Sequence, residues 1–89
     1  AEALAVLERA RRIDFGNPAG LRALAVVYSR TGRDGEAALV TAERLALGGR
    51  LDLALPHARR ATGLLTRGTP EWIRADELQR AAERAAQER

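Results

Sequence analysis

The chain has no cysteine, no methionine and no lysine, and a single phenylalanine, tyrosine and tryptophan among its 89 residues. Without cysteine there are neither disulfides nor thiolate metal sites, a composition that suits cytoplasm and periplasm alike. No apolar run approaches the about 20 residues that a membrane span needs. The opening "AEALAVLERARR" alternates charge with alanine, so it lacks the apolar stretch of a signal peptide. Strand-favouring β-branched and aromatic residues are scarce. What remains is mostly alanine and leucine, whose core must come from close approach of small side chains, and helices achieve that more readily than sheets. The composition predicts an all-α fold.

Every one of the fifteen basic residues is arginine, and with twelve acidic residues the formal net charge is +3. Together with the abundance of Ala, Gly and Leu, this reads as translation from a GC-rich genome. Nucleic-acid binders concentrate basic charge on one face. Here acids are mixed among the arginines and only Arg11–Arg12 and Arg59–Arg60 are adjacent, so nucleic acid is not an expected partner. The length fits one small domain over 1–89. Because the sequence opens in mid-helix without a cap, it is expected to be a C-terminal piece of a larger protein.

Glycine and proline punctuate the chain from Asn17 onward. Asn17–Pro18 reads as an N-cap with proline at the first helical position, and Thr69–Pro70–Glu71 repeats the device with an acid in the first turn. Gly32, Gly48–Gly49 and Gly68 read as glycines ending helices, and Asp34 as a cap after Gly32. Five helices are predicted, over 2–13, 18–31, 35–47, 51–65 and 70–86, with connections short enough to make neighbours antiparallel. Apolar spacing agrees. Leu21, Leu24, Ala25 and Tyr28 make one stripe; Ala38, Thr41, Ala42 and Leu45 a second; Ala54, Ala58, Ala61 and Leu65 a third. Pro56 removes a backbone hydrogen bond. With Asp52 as the N-cap it would fall at the end of the first turn, giving a late start or a slight bend.

The stripes fall at the spacing of a repeat. "LRALAVVY" resembles the first half of a tetratricopeptide (TPR) unit, with Leu21, Leu24, Ala25 and Tyr28 in its large, leucine, small and tyrosine positions. "ALVTAERL" is a weaker copy through Ala38, Thr41, Ala42 and Leu45. Ala3, Leu7 and Ala10, followed by "DFGNP", resemble the second half, as do Ala54, Ala58 and Ala61. Gly32 and Gly49 lie seventeen apart, half a repeat, so segment 35–47 can pair with either neighbour, as a solenoid allows. The resemblance, covering about residues 2–68, implies stacked antiparallel hairpins as a TPR-like solenoid. It also implies a groove for a protein or peptide, lined at Ala19, Arg22, Val26 and Ser29 and at Glu36, Leu39, Glu43 and Ala46. Arg22 and Glu43 would hold a peptide end or charged partner; the competing reading is an ordinary solvated helix charge.

Chemistry is harder to find. His57 is the single histidine, and a zinc peptidase helix needs two, four residues apart, with a glutamate between them. Ser29 and Thr41 have no placed base, and Gly48–Gly49 lacks the strand and lysine of a phosphate loop. No catalytic residue and no metal ligand is expected in this chain.

From Thr41 onward the sequence resembles the C-terminal TPR segment of bacterial periplasmic zinc-dependent metallopeptidases of the HExxH type, the BepA-like family. The residues that carry it are Thr41-Ala42-Glu43-Arg44, a glycine turn, His57-Ala58-Arg59-Arg60-Ala61, Leu64-Leu65, Gly68-Thr69-Pro70, Trp72 and Arg74-Ala75-Asp76. Thr66 stands where the family's usual ending has proline. The resemblance implies a periplasmic location, with the cytoplasm left open, and zinc only in a catalytic domain outside this chain. It implies a non-catalytic module that packs on its own protease domain and engages substrates or outer-membrane assembly partners. Thr41, Arg44, His57, Arg60 and Arg74 would be inter-domain contacts, with Glu43 and Trp72 beside them. Asn17, Pro18, Thr69, Pro70 and Trp72 also have an ordinary capping and packing role, and for Trp72 that role is preferred, its ring lying back over Leu64 and Leu65. The alternative is an independent TPR adaptor or scaffold; an upstream HExxH helix and signal peptide would separate the two. Unpaired seams at the N-terminal end predict weak self-association.

Overall fold

The computed structural model describes residues 18–88. They form four helices and, among the described residues, no strand: α1 (Pro18–Arg30), α2 (Asp34–Leu47), α3 (Leu51–Leu64) and α4 (Pro70–Gln87). Four of the predicted segments thus stand, each boundary within one residue. The helix expected over 2–13 and the cap at Asn17 lie outside the described residues.

Each helix packs on its neighbour in sequence, α2 also meets α4, and the backbones of α1 and α3 do not come together. The seams are built as the stripes predict. Leu21, Leu24 and Tyr28 of α1 are buried with Val40 of α2. Ala38 and Leu39 of α2 meet Ala61 of α3 and Ala75 of α4. Ala42 meets Ala54 and Ala58, with Leu45, Ala46 and Leu78 packed alongside. The α3 seam is all alanine, Ala54, Ala58 and Ala61, and has no exposed surface at all. Side chains this small let helix axes approach closely, and dispersion contacts then substitute for bulk.

Because α2 touches three helices, its apolar surface must be wider than one stripe. That corrects the reading of Leu39 as a groove residue: it is 1% exposed and belongs to the core. Thr41, by contrast, is half-buried, its hydroxyl donating to the Ala37 carbonyl at 2.8 Å.

Two joints share one geometry. Gly32 has φ +75° and Gly49 φ +78°, the left-handed region where a side chain is strained. The N–H of Arg33 donates to the Tyr28 carbonyl at 2.8 Å and that of Arg50 to the Leu45 carbonyl at 2.9 Å, the closing bond of a Schellman motif. Each arginine carbonyl then opens the next helix, accepting from Ala37 at 3.0 Å and from Ala54 at 3.0 Å. This leaves no room for an acidic cap. The expected caps Asp34 and Asp52 instead sit inside the first turn, where the helix dipole still favours them. With α3 starting at Leu51, Pro56 lies inside the helix rather than at the end of its first turn, so the start is not late and the Asp52 carbonyl loses its helical donor.

The last joint differs. Gly68, with φ +91°, does not end α3. It sits in the turn closed by Thr69 N–H to the Thr66 carbonyl at 3.2 Å, while α3 stops at an extended Leu65. Thr69 caps α4 as predicted: its hydroxyl accepts from the Trp72 N–H at 3.2 Å, with Pro70 in the first turn.

Candidate binding groove

The separation of α1 from α3 leaves α2 exposed between them, and the result is an open groove of about 460 Å³. Its floor is Ala37, Ala38 and Thr41 of α2. One wall is Ala25, Val26, Ser29 and Arg30 of α1; the other is His57 and Arg60 of α3; Asp34 closes one end. The floor is shallow in side-chain volume because helix pairing requires alanine there, so the same residues that permit close packing also leave the recess.

Among the described residues, the two arginines that line the groove hold no carboxylate. Elsewhere five arginines are paired, Arg33 with Glu36 at 2.8 Å, Arg50 with Asp52 at 3.1 Å, Arg59 with Glu83 at 3.4 Å, Arg74 with Glu43 at 3.6 Å and Arg80 with Asp76 at 2.9 Å, while Arg22, Arg44, Arg67 and Arg84 hold no carboxylate among the described residues. Arg30 and Arg60 make no ion pair or hydrogen bond through their guanidinium groups among the described residues. Arg30 ends α1, where a cation meets the negative end of the helix dipole. Arg60 follows the buried Ala58 on α3 and projects from the opposite wall.

The predicted residues are redistributed over the surface. Val26, Ser29, Thr41, His57 and Arg60 converge on the groove. Arg22 is exposed on α1 outside it, and Arg44 is half-buried in the last turn of α2. Glu36 faces a different recess, beside Arg33 and Thr69. Glu43 lies on the far side of α2, where it meets Arg74 in a cleft of about 400 Å³ shared with Ala46, Leu47, Glu77 and Leu78. The Arg74 Nε is buried there without a hydrogen bond, since 3.6 Å is too long for one. Arg30 and Asp34 were not predicted for the groove. Their signal was available, because Arg30 stands four residues after Val26 and so shares its face.

Trp72 joins helix to helix. Its indole N–H donates to the Thr62 carbonyl at 3.1 Å, and the Thr62 hydroxyl donates to Gln79 at 2.9 Å. The Arg67 guanidinium lies 5.6 Å from the centre of the indole ring, within cation–π range. The ring therefore reaches the last turn of α3, at Thr62.

Among the described residues no three or more His, Asp or Glu side chains lie together, and no helix is long and apolar enough to cross a membrane. Comparison of the chain with protein-family models, curated proteins and solved structures found no match.

Proposed function

We propose that this chain is a non-catalytic module that binds a protein or peptide, a TPR-like stack of helical hairpins whose recognition face is the groove between α1 and α3. The observation that carries the reading is the groove itself: a recess over an alanine floor, rimmed by Ser29, Arg30, His57 and Arg60, whose two arginines hold no partner among the described residues. The repeated glycine–arginine joints at 32–33 and 49–50 support the TPR-like part, because equal joints half a repeat apart are what stacked hairpins need. The sequence resemblance supports the wider context. In it the module is the C-terminal domain of a BepA-like periplasmic zinc metallopeptidase, packing on the protease domain and engaging substrates or outer-membrane assembly partners. Zinc would then belong to the protease domain.

Peptide titration followed by amide NMR tests the binding reading. Shifts should gather at Ala37, Ala38 and Thr41; shifts confined to other faces, across peptides of every charge type, would remove the groove as the recognition surface. A parallel incubation with zinc and an unfolded protein substrate should give no cleavage, and chelator-sensitive cleavage by the pure chain would overturn the non-catalytic assignment.

A further inference from the structure

The groove also has a sign. Two arginines from different helices face it, and Asp34 is the one acidic side chain lining it among the described residues. Neither arginine holds a carboxylate among the described residues, a state shared with Arg22, Arg44, Arg67 and Arg84, but Arg30 and Arg60 are the two that line this groove. Both guanidinium groups are exposed, so they are open to an incoming anion and their attraction for it is salt-dependent. His57, on the same wall as Arg60, adds a ring N–H donor beside them. Asp34 does not cancel the field, since it is one charge against two and lies in the first turn of α2, where the helix dipole already favours it.

Resting on the binding function above, we propose that the groove selects an acidic segment of a partner polypeptide. Its carboxylates engage Arg30 and Arg60 from the two walls, and its small apolar side chains lie on Ala37 and Ala38. The occupant is a peptide rather than a nucleic acid because the floor is apolar and half the lining offers methyl groups. No phenylalanine, tyrosine or tryptophan lines the groove among the described residues, whereas single-strand binders stack successive bases on such rings. Bidentate arginine–carboxylate contacts supply orientation.

The test uses the full 89-residue chain and fluorescence anisotropy with four labelled probes: a blocked alanine-rich peptide bearing alternating Asp and Glu, its Asn/Gln isostere, its lysine counterpart, and an oligothymidine strand. The acidic peptide should bind most tightly and weaken as salt rises. Arg30→Gln and Arg60→Gln should each cost about threefold to fivefold in affinity, while Arg84→Gln, on α4, leaves it unchanged. Both groove variants should keep the wild-type helical circular dichroism, as each replaces an exposed side chain. Equal binding of the acidic and isosteric peptides, with amide shifts still at Ala37 and Ala38, would overturn the charge preference and leave the binding function standing. Absence of any peptide binding would overturn both. Tighter binding of the oligothymidine through the same arginines, or an Arg84→Gln loss equal to the others, would overturn the acidic-peptide assignment.

Discussion

The indole N–H of Trp72 donates to the Thr62 carbonyl across 3.1 Å, a bond that ties α4 to a main-chain atom of α3. The last carbonyls of a helix have no partner within it, and α3 has no left-handed glycine to recruit one, since it ends at an extended Leu65. The tryptophan takes that role from the next helix. Its own position is fixed by the cap at Thr69, which accepts from the Trp72 backbone N–H. A single residue therefore closes one helix while being held by the start of another.

Replacing the ring should separate its two contributions. Trp72→Phe keeps most of the apolar surface but loses the hydrogen bond, and should destabilise by about 1 kcal/mol. Trp72→Ala loses both and should cost about 2 to 3 kcal/mol, below the full value for a buried tryptophan because the side chain is only half-buried. Urea denaturation followed by circular dichroism measures both, and a Trp72→Phe midpoint equal to that of the wild type would show that the bond to Thr62 contributes nothing.

Two helical glycines should respond to alanine in opposite directions. Gly63 has open space where a Cβ would go, so Gly63→Ala should stabilise by about 0.5 to 1 kcal/mol through helix propensity. At Gly35 the added carbon would stand 3.0 Å from the Leu65 side chain and 3.2 Å from the Leu64 Cβ. Overpacking of that kind should outweigh the propensity gain and destabilise by about 1 kcal/mol. Thermal melts of the pair read the difference directly, and a rise in Tm for both would mean that the α2–α3 contact is loose.

The Glu43–Arg74 pair offers a different measurement. The two charges join α2 to α4 at 3.6 Å, with the arginine more than a third exposed. A double-mutant cycle with Glu43→Gln and Arg74→Met should return a coupling below about 1 kcal/mol, the range of solvent-screened pairs. A coupling of several kcal/mol would place this pair among the principal supports of the fold.

Asp52 supplies the pH dependence. The hydrogen bond from Arg50 holds its carboxyl below the ordinary carboxylate value, and the pairing correspondingly raises Arg50. A folded pKa below the unfolded one gives stability that is present above the unfolded value and lost as pH falls through the folded one. Both residues are solvent-exposed, so the effect belongs to acid pH and is small. Carboxyl chemical shifts should show Asp52 titrating below the other exposed acids, and Arg50→Gln should move it back. An unchanged midpoint in that variant would assign the shift to the helix N-terminus instead.

Much of the fold was written in local chemistry. Pro18, Gly32, Gly49 and Thr69–Pro70 restrict or free backbone angles at fixed places, so helix boundaries followed from residue identity within one position. The Leu21–Tyr28 and Ala54–Ala61 stripes likewise fixed which faces would be covered, because helical periodicity is a property of the segment alone. The acidic caps failed for a local reason too: the glycine–arginine joint closes one helix and opens the next without a gap, a geometry that spacing by itself does not distinguish from a capped start.

The site was less legible, since it depends on which helices meet. Leu39 and Glu43 sit four residues apart on one predicted groove face, yet α2 packs against three helices, which takes Leu39 into the core and turns Glu43 toward Arg74. Val26, Ser29, Thr41, His57 and Arg60 come from three helices, and only the separation of α1 from α3 brings them to one recess. The sequence by itself determined that the chain is helical, where its helices turn and which stripes seek cover. Tertiary structure decided which charges find partners and which, like Arg30 and Arg60, are left facing an open groove, because ion pairing and concavity are relations between helices and no single segment contains them.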